Sequence, residues 1–132
     1  NRIWFGCQFR GADAERPQLV GYATLDGDIR LIELPPDALG SLDNYVGGLA
    51  VSNTLETIAV SSPRGGVILA IDATTQRPSS LTVLKATCGV APDDIGFVAT
   101  NGHGALTGLA GSSVPEQQFD FQFDEHLRVL RG

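Results

Sequence analysis

Thr57-Ile58-Ala59-Val60-Ser61-Ser62-Pro63-Arg64-Gly65-Gly66-Val67-Ile68-Leu69-Ala70-Ile71-Asp72 decides the fold. Two short apolar runs rich in β-branched residues flank a turn, the pattern of paired buried strands. Proline presets φ at the reversal and glycine accepts the positive φ that a tight turn needs, so the stretch reads as a β-hairpin.

The hairpin recurs. Ile58 to Val67 aligns without gaps on Phe97-Val98-Ala99-Thr100-Asn101-Gly102-His103-Gly104-Ala105-Leu106, 39 residues further on. It aligns equally on Trp4-Phe5-Gly6-Cys7-Gln8-Phe9-Arg10-Gly11-Ala12, 54 residues earlier. Each copy runs from a hydrophobic strand through a small polar residue to a cation-capable side chain followed by glycine. Spacings of about 40–50 residues are those of propeller blades.

The second repeat shows the unit most clearly. Gly48 to Val51, Thr57 to Ser61, Val67 to Asp72 and Ser80 to Leu84 form a four-strand meander in about forty residues, as in one blade. Gly89 to Ala91, Gly96 to Thr100, Ala105 to Leu109 and Phe119 to Phe123 give the third, with Leu127-Arg128-Val129-Leu130 as a last short strand. Arg2 to Gln8, Leu19 to Ala23 and Ile29 to Leu34 give an incomplete first, with Asp26-Gly27-Asp28 turning its second hairpin. Pro35 to Leu42 breaks the sheet pattern and has room for one helical turn. The expected fold is all-β: three consecutive antiparallel blades of a β-propeller, spanning 1–44 (incomplete), 45–87 and 88–132. Three blades do not close a ring. The end blades are therefore expected to expose apolar faces, which favours self-association or a parent about twice as long.

Sixteen glycines and seven prolines in 132 residues support many short strands. The net charge of −6, spread along the chain, argues against nucleic acid and anionic membranes as partners. No run is long enough to span a bilayer. The chain starts at Asn1, almost inside a strand, which suggests a fragment or a processed product. Cys7 and Cys88 fall in different repeats at different strand positions, which favours two separate thiols over a disulfide.

Tyr45-Val46-Gly47-Gly48-Leu49-Ala50, Ser61-Ser62-Pro63-Arg64-Gly65-Gly66, Cys88-Gly89-Val90-Ala91 and Asp124-Glu125-His126-Leu127 resemble the C-terminal third to half of a family of uncharacterised bacterial propeller-like proteins. The resemblance implies a seven-blade parent, a periplasmic location and a gene encoded beside those of imelysin-type iron-uptake proteins. It carries no catalytic assignment. The family favours an aromatic-Asp-Asn-His-Leu ending, whereas this chain has Phe123-Asp124-Glu125-His126-Leu127.

In a propeller the loops between second and third strands share one face near the channel. The repeats place Arg10, Arg64 and His103 there, with Gln8, Ser62 and Asn101 two residues before them. Guanidinium forks suit carboxylate or phosphate, so this face is the expected site for a small anionic ligand or a protein partner. The plainer reading has each cation cap carbonyls or pair with an acidic loop residue. His103 and His126 are the only histidines and lack metal-ligand spacing, so neither metal nor cofactor is expected. Asp93-Asp94 reads as turn chemistry. No nucleophile elbow, phosphate loop or dinucleotide fingerprint is present. A non-enzymatic binding module is therefore the favoured function, and the resemblance implies that it works in the periplasm in association with iron uptake. The alternatives are a lactonase-like propeller hydrolase with a channel metal, or a plain structural scaffold.

Overall fold

The computed structural model describes residues 1–52, 57–128 and 130. Its strands fall into three antiparallel sheets in chain order. The first holds β1 (Arg2–Gly6), β2 (Val20–Thr24) and β3 (Ile29–Leu31), and helix α1 (Pro36–Leu42) follows it. The second holds β4 (Gly48–Val51), β5 (Thr57–Ser62), β6 (Val67–Asp72) and β7 (Pro78–Val83). The third holds β8 (Thr87–Pro92), β9 (Phe97–Asn101), β10 (Ala105–Leu109) and β11 (Gln117–Gln118). Strand order in the second and third sheets follows the chain, so both are meanders, and β4 touches both β1 and β8. The fold is all-β and propeller-like, as the hairpin repeats led us to expect.

The central hairpin pairs Thr57 with Asp72 through to Ser62 with Val67. Alternation sends its side chains in two directions. Ile58, Val60, Val67, Leu69 and Ile71 meet Val20, Tyr22 and Trp4 of the first sheet and the buried face of α1. Ala59 and Ile68 meet Val90, Phe97 and Ala99 of the third sheet. Each interface therefore needs the neighbouring blade to bury its apolar side chains. The alanines of the second interface let those sheets approach closely.

Several boundaries differ from the sequence reading. The strand expected over Ile29 to Leu34 stops at Leu31. Beyond it the Leu34 backbone bonds to the Gln18 side chain, N–H to Oε1 at 2.8 Å and O to Nε2 at 3.2 Å, while Ile32 and Leu34 turn into the core. The helix exceeds the single turn allowed for it: seven residues bury Ala38, Leu39 and Leu42, with Pro36 at its first position. The strand expected over Phe119 to Phe123 is only Gln117–Gln118. The three phenylalanines instead cluster with ring centroids 5.0–5.7 Å apart, and Phe119 and Phe123, 5.7 Å apart, are four residues apart, which an extended strand would separate by about 13 Å. Leu127 and Arg128 are not in a strand, and Val129 lies outside the described residues. Cys7 and Cys88 are both free thiols. Among the described residues, no helix is long and apolar enough to cross a membrane.

Candidate binding face

Each second-to-third-strand turn docks on a linker between blades. The linker Asp43–Gly47 leads from α1 to β4, and the first turn lies against it. Phe9 N–H donates to the Asn44 carbonyl at 2.9 Å, and Val46 N–H donates to the Cys7 carbonyl at 3.1 Å. On the other side of this linker sits the second turn, where the buried Ser62 hydroxyl donates to the Leu42 carbonyl at 2.6 Å. That turn also meets the next linker, since Leu84 N–H donates to the Gly66 carbonyl at 2.9 Å. The third turn repeats this bond, Phe119 N–H to the Gly104 carbonyl at 2.9 Å, and Gly102 N–H reaches the Ala86 carbonyl at 2.8 Å. Turns and linkers thus alternate along one face.

The cations on this face come from the turns. Arg64 Nε lies 3.5 Å from Asp43 Oδ2, and Arg16 Nη2 lies 3.6 Å from Asp43 Oδ1. One half-exposed carboxylate is therefore held between two guanidiniums. Asp43 and Asn44 both adopt positive φ, 45° and 59°, a conformation Asp and Asn tolerate better than other side chains. That bend presents Asp43 to both arginines and buries Asn44, whose Nδ2 donates to the Glu15 carbonyl at 2.9 Å. The Oδ1 of Asn44 has no partner among the described residues.

Next on the linker, the Tyr45 hydroxyl donates to Glu125 Oε1 at 2.9 Å. This hydrogen bond, then burial and the Glu125 charge, raise the phenol above its ordinary value, and Gln8 and the Arg10 guanidinium pull it down. Gln8 and Arg10 are exposed beside it, and Gln8 pairs with Tyr45 as an isolated bridge. Arg10 forms no ion pair or side-chain hydrogen bond among the described residues.

The six expected residues thus separate into three groups. Gln8 and Arg10 gather at Tyr45. Arg64 joins the same linker through Asp43, so the pairing half of the plainer expectation describes it. His103 is exposed on the third turn and its ring has no hydrogen bond or ion pair among the described residues. Ser62 and Asn101 lie beneath the face, 0% and 8% exposed. The Ser62 hydroxyl, besides its bond to Leu42, accepts from Gly65 N–H at 3.0 Å, and Asn101 Oδ1 accepts from His103 and Ala105 N–H at 3.1 and 2.9 Å. Both residues shape turns.

Sequence reasoning missed Arg16, Asp43, Tyr45 and Glu125. The Asp43-Asn44 pair just after α1 was the available signal, since such pairs mark left-handed bends. Glu125, the departure from the family ending, is the residue that receives the Tyr45 hydroxyl. Asp93 acts as turn chemistry, accepting from Ile95 and Gly96 N–H at 3.0 and 2.6 Å and from the Ser112 hydroxyl. Among the described residues no three His, Cys, Asp or Glu side chains gather as a metal site.

A family model described as a protein of unknown function (DUF1513) matches residues 1–130. The crystal structure of Saccharomyces cerevisiae Sqt1, a WD40 β-propeller protein, is similar at a TM-score of 0.58 and 21% identity. The similarity covers 77% of this chain and 28% of Sqt1, so the chain spans under a third of that protein, and at this identity the likeness concerns the fold. No curated protein matches the chain.

Proposed function

We propose, for a chain that belongs to the DUF1513 family of proteins of unknown function, that it is a non-enzymatic binding module whose turn-and-linker face engages an anionic group. The group is a carboxylate or phosphate, carried by a small ligand or by a protein partner. The supporting observation is the Asp43 carboxylate held between Arg16 and Arg64. It is an internal instance of the chemistry, and Arg10 stands nearby with no counter-ion among the described residues. Guanidinium forks suit planar or tetrahedral oxyanions, and surface pairs of this kind are weak enough to exchange partners. Gln8 and His103 extend the polar surface, while Ser62 and Asn101 hold its turns. In this reading the blades span 1–44, 45–87 and 88–132. The module acts in the periplasm in support of iron uptake.

Inorganic phosphate is the probe. Titrated at low ionic strength and followed by amide chemical shifts, it is expected to move the signals of Arg10, Tyr45 and Arg64 saturably. Arg10→Ala with Arg64→Ala is expected to abolish the response while leaving the thermal melt unchanged. Absence of a saturable response, or a response that survives the double substitution, overturns the proposal.

A further inference from the structure

Away from the turn face, a cavity of about 740 Å³ opens between the segment joining β3 to α1 and the outermost strand of the second sheet, β7. Four features of its walls specify an occupant. β7 ends its sheet, so one side of its backbone has no strand partner among the described residues. Such an edge pairs readily with an extended chain. Leu34 and Leu69 are buried in the wall and Leu81 is half-exposed, giving an apolar surface beside that edge. Ser79 and Ser80, small and exposed, leave the approach to the edge open. Glu33 and Asp37 line the opposite wall, are exposed and form no ion pair among the described residues.

We infer that this groove binds an extended peptide segment of a partner protein by adding it as a strand to β7. The unpaired edge selects an extended backbone. The leucines select apolar side chains at alternate positions, and the two carboxylates select a lysine or arginine beside them. Arg77, just before β7, sets a single positive charge against those two negative ones, so a basic peptide is favoured over an acidic one. The inference is independent of the anion-binding face and can fail or stand without it.

The probe is the fluorescently labelled synthetic peptide Ser-Lys-Val-Thr-Val-Lys-Ser, with blocked ends, read by anisotropy and by amide shifts. Saturable binding with shifts concentrated on Ser79 to Val83 is expected. Glu33→Lys combined with Asp37→Asn is expected to weaken it about tenfold, the scale of reversing one exposed charge contact and removing another. Leu81→Asp, at a half-exposed site that leaves the fold intact, is expected to weaken it at least as much. Replacing the central threonine of the peptide with proline removes an edge donor and is expected to weaken binding too. No saturable binding at millimolar peptide, binding by the charge variant and by Leu81→Asp as tight as the unsubstituted protein's, or shifts confined to other strands overturns the inference.

Discussion

Replacing Gly65 with alanine tests the docking of the second turn on its linker. A Cβ at Gly65 would fall far inside the 3.0 Å floor for such contacts, against the Ser41 carbonyl oxygen of α1, with the Ser41 carbonyl carbon at 3.0 Å. These are backbone atoms and cannot rotate away. The turn must withdraw by about 1 Å to reach even that floor. That movement stretches the 2.6 Å bond from the Ser62 hydroxyl to the Leu42 carbonyl beyond hydrogen-bonding range. Losing a buried hydrogen bond costs about 1–3 kcal/mol. Overpacking adds about 1–3 kcal/mol, so Gly65→Ala is expected to destabilise by about 2–6 kcal/mol and to lower Tm by roughly 8–24 °C at this chain length. Trp4 is the only tryptophan and packs 5.1 Å from Tyr22 at the interface of the first two sheets, so its fluorescence during urea unfolding reports the loss. Gly40→Ala is the matched control. It lies in α1 with open space where a Cβ would go, and gains about 0.5–1 kcal/mol of helix propensity. A Gly65→Ala midpoint equal to the parent's, or an equal loss in Gly40→Ala, refutes the reasoning.

Tyr45 is expected to titrate above 10.0, because its hydroxyl donates to Glu125. The stabilisation is present in full below the unfolded value and is lost as pH rises through the raised folded one. Glu125→Ala is expected to lower the Tyr45 transition in an ultraviolet titration, and an unmoved transition would contradict the assignment. Asp72 is held below its ordinary value first by the Thr75 N–H, at 2.6 Å, then by the Thr75 hydroxyl and Thr74 N–H. Its contribution is present above the ordinary carboxylate range and lost as pH falls through the depressed value. Asp72→Asn is therefore expected to reduce the drop in urea midpoint between pH 7 and about pH 3, and an unchanged drop would count against it. Burial raises the Cys88 thiol, and its sulfur lies 3.3 Å from the Ala86 and Phe123 carbonyls, so alkylation is expected at the more exposed Cys7 first. Faster modification of Cys88 would reverse that assignment.

The hairpins were legible because each couples an apolar run to a turn whose chemistry is local. Pro63-Arg64-Gly65-Gly66 needs no distant residue to reverse the chain, and Gly66 takes φ of 64° as its sequence implies. The helix was not legible at its full length. It contains Gly40, forms only seven residues, and is stabilised by burying Ala38, Leu39 and Leu42 against the second sheet. Phe119, Phe121 and Phe123 alternate like a strand, yet they pack on one another, and alternation alone cannot tell these outcomes apart. At the binding face the repeat alignment located the turns, because turn position is encoded locally. It could not locate Asp43 or Glu125, which reach the arginines and Tyr45 only after linker and tail have packed. The same limit applied to Ser62 and Asn101. Their polarity suggested ligands, but in tight turns it is consumed by backbone groups.

An open arc of blades leaves a sheet face that only another apolar surface can cover. In the first sheet Ile3, Ile29 and Leu31 lie on the side away from the core, 60%, 73% and 52% exposed, and the pairings Ile3–Ala23, Ala23–Ile29 and Gly21–Leu31 place them together. Apolar faces of this kind associate. Light scattering across a concentration series measures it most directly. The expected result is a mass above the 13.9 kDa of one chain that rises with concentration, and that Ile3→Lys with Ile29→Lys returns to the single-chain value. A single-chain mass at every concentration would contradict the open arc.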